Sequence, residues 1–217
     1  MSISASLVKQ LREQTGAGMM DCKRALEETT GNIEAAIDFL RKKGAASAER
    51  KASRIASEGI IGQWISDDGS QAVMVEVNCE TDFVAKDESF GTFVAQIIQV
   101  IAVNRPTDLE ALGELALGAS GSVNEARLVL IGRVGENIGI RRFECIEAAS
   151  GSVLSGYLHG QRIGVVMGLK GGQSSLGRDL AMHVAASRPL AILPSGIAPE
   201  LLEREKNIVI AQAAESG

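Results

Sequence analysis

Apolar and polar positions alternate with the period of an α-helix over the first 45 residues. Apolar side chains recur at helical spacing in three successive stretches, 7–11, 19–26 and 33–40. Glycine-containing segments separate the three stretches, and Asn32 is placed to cap the third helix while Gly44 is placed to end it. The pattern predicts a compact unit of three short helices, followed by a basic, Ala/Ser-rich connecting helix or linker.

From Ile60 onward the period changes to that of β-strands. Runs of β-branched and other apolar residues flank Asp67-Asp68-Gly69-Ser70, which is typical of a hairpin. Between residues 90 and 101 apolar residues again recur at intervals of three and four, and this amphipathic pattern stops before Arg105-Pro106. The predicted order is hairpin, charged turn and helix.

The same order recurs later in the chain. A second predicted hairpin turns at residues 159–162, and the helix after it stops before Arg188-Pro189. The linker 113–122, a helix over 123–134 and a strand over 137–148 separate the copies. No helix and strand of this kind follow the second copy, so we expect its subdomain to be incomplete.

These patterns together predict an α+β fold. An N-terminal three-helix domain precedes a duplicated α+β core of antiparallel hairpins packed with helices. We divide the chain at 1–55 for the helices with their connection, 56–149 for the first core subdomain and 150–217 for the second.

Composition restricts the setting in which the chain works. Its three cysteines lie far apart without a CxxC pair, which argues against a disulfide framework or a zinc site and favours a reducing compartment. There is no signal-peptide pattern and no apolar run of membrane-spanning length, so we expect a soluble, cytoplasmic protein. The net charge is −5, and residues 1–58 carry ten Lys/Arg against eight Asp/Glu. This excess is too small to predict direct nucleic-acid binding.

Motifs for covalent chemistry are missing from the sequence. The glycine-rich stretch at 164–172 has the wrong spacing for a phosphate-binding loop, so turns and caps are the better interpretation. Of the two histidines, His183 is expected to be partly buried in a helix, and His159 to be exposed in a hairpin turn. We therefore expect no enzymatic reaction, no cofactor, no metal and no nucleotide bound by the chain itself.

Two stretches leave a choice between a structural role and a contact role. In "ETDFVAKDE", residues 80–88, Thr81 or Asp82 can cap a helix with Phe83 in the core, or the turn can protrude and offer Phe83 to a partner. Adjacent Met19 and Met20 point about 100° apart on a helix, so we expect one of them to be exposed. Composition alone favours the buried phenylalanine.

Four stretches together resemble the elongation factor Ts family, the translation factors that exchange nucleotide on elongation factor Tu. They read "LREQTGAGMMDCKRAL", "EVNCETDFVAKDESF", "GENIGIRRF" and "HGQRIG…AMHVAAS". The resemblance implies an N-terminal domain of the ubiquitin-associated type and two related α+β subdomains. Long members of the family continue into a helical hairpin and a C-terminal module that this sequence does not contain.

The resemblance also implies a mechanism and a partner. The chain would bind elongation factor Tu·GDP and promote GDP release by disturbing the Mg²⁺ and phosphate site. In the family this task falls to the motif that here reads Thr81, Asp82, Phe83 and Val84, with the aromatic ring as a wedge. A different possibility stays open, namely a binding module that holds the GTPase or another protein without exchanging nucleotide.

Further partner contacts are implied at five positions outside that motif. His159 in the second hairpin would support the wedge. The contacts with the nucleotide domain of the GTPase would come from Met19, Met20, Lys23 and Lys51.

Overall fold

The computed structural model of the protein describes residues 3–118, 121–172 and 174–216. It contains both helices and strands, which confirms the predicted mixed composition. The N-terminal helices are α1 (Ala5–Thr15), α2 (Met19–Glu28) and α3 (Ile33–Lys51). The first core unit contains β1 (Glu58–Ile65), β2 (Gln71–Cys79), α4 (Asp82–Ala85), α5 (Glu88–Asn104), α6 (Leu109–Glu114), α7 (Val123–Val134) and β3 (Gly139–Glu147). The second contains β4 (Ser152–His159), β5 (Ile163–Lys170), α8 (Ser174–Ser187) and α9 (Pro199–Ser216).

Helices α1 to α3 pack around a small apolar cluster of their own. The buried members are Val8, Leu11, Cys22, Ala25, Leu26 and Ala36. The predicted cap at Asn32 is confirmed, because its side-chain oxygen accepts a hydrogen bond from the Ala35 amide at 3.0 Å. A ubiquitin-associated type for this unit remains what the resemblance implies.

The third helix is longer than predicted, and the prediction that Gly44 ends it is wrong. Helix α3 continues through Gly44 to Lys51. A Cβ atom at Gly44 would lie 3.4 Å from the Leu128 carbonyl oxygen, so glycine there lets α3 cross α7 closely. Ala48, one turn further on, is buried in the larger apolar cluster built mostly from the first core unit, which we call the main core. The segment interpreted as a connection is therefore the last part of a helix shared by both apolar clusters.

The first hairpin and β3 form an antiparallel sheet in the order β1-β2-β3. Glu58 lies opposite Cys79 at one end of the β1–β2 pair, and Ile65 lies opposite Ala72 at the predicted turn. Helices α5 and α7 pack on this unit and bury its apolar side chains. The largest fully buried ones in this cluster are Phe90, Ile97, Ile101, Leu112, Ile131, Ile138, Val73, Val75, Val77 and Val94.

The second hairpin is attached to the edge of the first sheet. The Ile61 amide donates to the Gln161 carbonyl at 2.7 Å, and the Gln63 side-chain amide donates to the Val165 carbonyl at 2.9 Å. Helix α8 packs on β4 and β5, as the repeated order predicted. Within the described ranges β5 pairs with β4 alone, and no described side chain of α9 is buried.

Candidate partner-binding site around Phe83

Phe83 protrudes from a one-turn helix at the end of β2. Its side chain is 81% exposed, whereas the next residue, Val84, is 8% exposed and belongs to the main core. Thr81 caps the helix by accepting the Val84 amide on its hydroxyl at 3.4 Å. Thr81, one of the two predicted candidates for the cap, is the residue that caps the helix. Phe83 is exposed as the family resemblance implies, and the core position that composition alone favoured is wrong.

A charged pair accompanies the phenylalanine. Lys86 Nζ donates to Asp82 Oδ2 at 2.7 Å, one helical turn apart. This hydrogen bond and the charge of Lys86 lower the pKa of Asp82, with a smaller contribution from the Arg162 guanidinium. Asp82 is therefore ionised at neutral pH beside an exposed aromatic ring.

Two glutamates join the start of this turn to the loop between α7 and β3. Glu136 Oε2 accepts the amides of Glu80 at 3.1 Å and Thr81 at 3.0 Å, and Glu136 Oε1 accepts the Thr81 hydroxyl at 2.6 Å. In return, Glu80 Oε1 accepts the Asn137 amide at 2.6 Å. We call this reciprocal set of four hydrogen bonds the Glu80–Glu136 brace.

Apart from Thr81, the residues of the brace were not predicted as site residues. Glu136 and Thr81 are 55 positions apart in the chain, and neither stretch carries a local signal that points to the other. The only signal available was that both stretches, "ETDFV" and "GENIG", belong to the segments that resemble one family.

A buried thiol lies beneath the turn. Cys79 Sγ donates to the Thr81 carbonyl at 3.2 Å, so it holds the same residue from the inner side. Burial raises the pKa of the Cys79 thiol to about 11, and the nearby carboxylates of Glu136 and Glu58 add to the increase. The thiol is neutral at physiological pH and serves as a hydrogen-bond donor.

His159 lies at the same end of the first sheet as Phe83. It ends β4, is exposed as predicted, and its Nδ1 lies 3.1 Å from the Tyr157 hydroxyl. Arg162, in the same hairpin turn, forms an ion pair with Glu58, which lies opposite Cys79 in the sheet. Because β2 leads from Cys79 directly into the Phe83 turn, the structure brings the two predicted contact regions together.

The N-terminal candidates lie on α2 and α3, and Lys51 ends α3 three residues before Arg54, which pairs with Glu80 at 3.6 Å. Met19 and Met20 are 57% and 67% exposed, so the predicted exposed methionine is found and the second methionine faces solvent as well. Helix α2 begins at Met19, and its buried stripe starts one turn later, at Cys22. Lys23 pairs with Glu27 at 3.8 Å, and Lys51 Nζ donates to Ser47 Oγ at 2.7 Å. In the described ranges none of these four side chains is hydrogen-bonded to residues 81–84.

Other candidate chemistry is limited in the described part of the chain. His183 is exposed on α8, so the prediction that it is partly buried is wrong. Residues 3–118, 121–172 and 174–216 contain no group of three or more His, Cys, Asp or Glu that could hold a metal ion. No helix within those ranges is both long and apolar enough to cross a membrane.

Comparison with known proteins identifies the family to which the chain belongs. The family model described as Elongation factor TS matches residues 80–217, a stretch that begins at the first residue of the Phe83 turn. Elongation factor Ts of Thioalkalivibrio sulfidiphilus is 54% identical over 218 residues, covering 100% of this chain and 74% of the relative. The chain belongs to the elongation factor Ts family.

Other relatives extend the match over the N-terminal helices too. Elongation factor Ts of Hydrogenovibrio crunogenus is 48% identical over 217 residues, which cover 100% of this chain and 73% of that protein. Elongation factor Ts of a Psychrobacter species is 49% identical over 215 residues, covering 99% and 72%. The resemblance found in four short stretches is confirmed, and membership of the family supports a role in translation elongation.

Proposed function

We propose that the chain is a guanine-nucleotide exchange factor that binds elongation factor Tu·GDP in the cytoplasm and promotes GDP release without covalent chemistry. The observation that carries the proposal is Phe83, an aromatic side chain that is 81% exposed although its turn is anchored to the sheet. A large apolar ring held in water on a fixed turn is suited to insertion into an apolar crevice of a partner. Family membership supplies the identity of that partner.

The wedge acts through thermodynamic linkage. An exchange factor that binds the nucleotide-free GTPase more tightly than the GDP-bound form weakens GDP binding by the same factor. Insertion of Phe83 would displace elements that hold Mg²⁺ and the diphosphate, which make the strongest electrostatic contacts to the nucleotide. Thr81 and Asp82 flank this contact, with Asp82 charged beside the ring. The contact predicted for Val84 is wrong for the free chain, because Val84 is buried in the main core and holds the turn from below.

The remaining predicted contacts surround the wedge or bind at a second place. We propose that His159, at the same end of the sheet, supports the wedge. The exposed Met19 and Met20 offer flexible apolar side chains to the nucleotide domain, with Lys23 and Lys51 as nearby charges. In this proposal residues 1–55 form the docking domain, of the ubiquitin-associated type, and the core subdomains 56–149 and 150–217 carry the wedge.

Release of a fluorescent GDP analogue from elongation factor Tu tests the proposal directly. The full chain should accelerate release in a concentration-dependent way, and the chain alone should bind none of the analogue. Binding to the GTPase without acceleration would instead identify a non-exchanging binding module. A chain that neither binds the GTPase nor accelerates GDP release would refute both functions.

A further inference from the structure

We infer that Glu136 is a positioning residue for Phe83, acting through the Glu80–Glu136 brace rather than by contact with the partner. The inference deepens the proposed exchange function and rests on it. It begins from the size of α4, which has four residues. A single helical turn is unstable by itself, because helix nucleation is unfavourable and few hydrogen bonds offset it. The direction in which Phe83 points must therefore be determined by what anchors α4, namely Val84 in the main core and the hydrogen bonds at its N-terminal end.

Glu136 holds the N-terminal end of that turn. One carboxylate accepts three hydrogen bonds, from two consecutive amides and the hydroxyl of Thr81, all immediately before the helix begins. Charge-assisted hydrogen bonds of this kind are shorter and stronger than neutral ones. Since both amides are bound, the backbone orientation at residues 80 and 81 is fixed, and with it the exit direction of α4.

The loop that carries Glu136 is itself anchored. Ile138, two residues further on, is fully buried in the main core. The Asn137 amide donates to Glu80, while the Asn137 side chain donates to the Arg54 carbonyl at 3.0 Å. The brace therefore connects the Phe83 turn to the sheet and to the segment that follows α3.

Preorganisation of the Phe83 turn links the Glu80–Glu136 brace to GDP release. A turn that was free in the unbound protein would lose conformational entropy on binding, which weakens the complex. If the wedge-competent orientation becomes a minor population, apparent activity falls by the same fraction. Glu136 would thus influence GDP release through the population of correctly oriented Phe83.

The test is a double-mutant cycle between Glu136 and Phe83 in the GDP-release assay. Glu136→Gln removes the negative charge and replaces one of the two acceptor oxygens by an NH2 group, so either the Thr81 hydroxyl or the two backbone amides lose their acceptor. It should lower the maximal release rate roughly tenfold. In a Phe83→Ala background the same change should have little further effect, because there is no ring left to orient. Glu144→Gln, on the exposed side of β3, is the matched control and should behave as the wild type.

A readout independent of the partner separates positioning from general stability. Amide hydrogen exchange at Glu80 and Thr81 should become faster in Glu136→Gln, while amides in β1 and β2 keep their protection and the melting temperature changes little. If Glu136→Gln unfolds at the assay temperature, Thr81→Val removes the hydroxyl that donates to Glu136 and accepts the Val84 amide, so it tests the brace and the cap of α4 together. It should show the same dependence on Phe83, with Thr81→Ser restoring activity.

Each outcome bears on one hypothesis. A wild-type chain that fails to accelerate GDP release overturns the exchange function itself. An active wild type with an equally active Glu136→Gln overturns the positioning role. Effects of Glu136→Gln and Phe83→Ala that multiply independently overturn it too, whereas their coupling supports it.

Discussion

Arg105 and Arg188 have the same left-handed backbone conformation, each with a φ angle of 47°. Each follows the last residue of a long helix and precedes a proline, and each amide donates to the carbonyl four residues earlier, at 2.8 and 2.9 Å. Non-glycine residues seldom adopt positive φ, so the recurrence is a specific one. The two hairpin–helix units thus end their helices with the same local geometry, which was visible in the sequence as a repeated Arg-Pro.

Replacing Phe83 by alanine should separate function from folding. We expect the melting temperature of Phe83→Ala to stay close to that of the wild type, because the ring is largely in water, while acceleration of GDP release is strongly reduced. Phe90→Ala is the contrasting variant. Phe90 is fully buried, so its truncation should lower the free energy of unfolding by about 3–5 kcal/mol. Unfolding of Phe83→Ala in a thermal melt would contradict the assignment of an exposed wedge.

Gly44 should tolerate one methyl group and no more. Helix propensity favours alanine by about 1 kcal/mol, and a Cβ at 3.4 Å from the Leu128 carbonyl oxygen is just accommodated. Gly44→Leu should instead push α3 from α7 and lower the free energy of unfolding by about 1–3 kcal/mol. Urea titrations of Gly44→Ala and Gly44→Leu measure the two changes in the free energy of unfolding. Gly132→Leu on α7, where a Cβ meets no atom within 4 Å, is the control and should not destabilise.

Gly59 in β1 should not tolerate a side chain. Its φ angle is +144°, and a Cβ there would clash with the Val77 carbonyl oxygen, which belongs to the paired strand and cannot move away. Gly59→Ala should lower the free energy of unfolding by about 2 kcal/mol or more in denaturant titrations. Gly139→Ala in β3 has open space and should be neutral or slightly stabilising.

The Cys79 thiol should make stability fall at high pH. Its pKa is raised to about 11 in the folded protein, so the unfolded thiol, with its ordinary lower pKa, loses its proton first. The contribution of Cys79 is complete below the ordinary thiol pKa and declines as pH rises from there toward 11. The measurement is the difference in unfolding free energy between wild type and Cys79→Ser, which does not titrate. A difference that stays constant from pH 8 to 11 would argue against the raised pKa.

Local signals in the sequence were sufficient for most of the elements and for the cap at Asn32. They reduced the cap of α4 to Thr81 or Asp82, because a capping side chain bonds an amide only three residues away. Gly44 was misassigned because its role is to admit Leu128, which is distant in sequence. Met19 matches a helical apolar stripe by spacing, yet it precedes the first point at which α2 meets its neighbours.

The partners of the Phe83 turn could not be predicted for a related reason. The hydrogen bonds that Glu136 accepts come largely from backbone amides, and every residue except proline offers an amide. A pairing of this kind leaves no complementary side-chain pattern in the sequence. Only the three-dimensional return of β3 to the edge of β2 reveals it.

Helix α3 fixes both the distance and the relative rotation of the two apolar clusters. Ala36 belongs to the N-terminal cluster and Ala48 to the main core, so about 18 Å of continuous helix separates the two anchoring points. Insertion of one residue between them would advance the N-terminal helices by only about 1.5 Å but rotate them by about 100°. Met19 and Met20 would then face a different direction, while their distance from the main core would change little. Under the proposed function, the phase of this helix more than its length would determine whether Met19, Met20 and Phe83 can contact one partner at once.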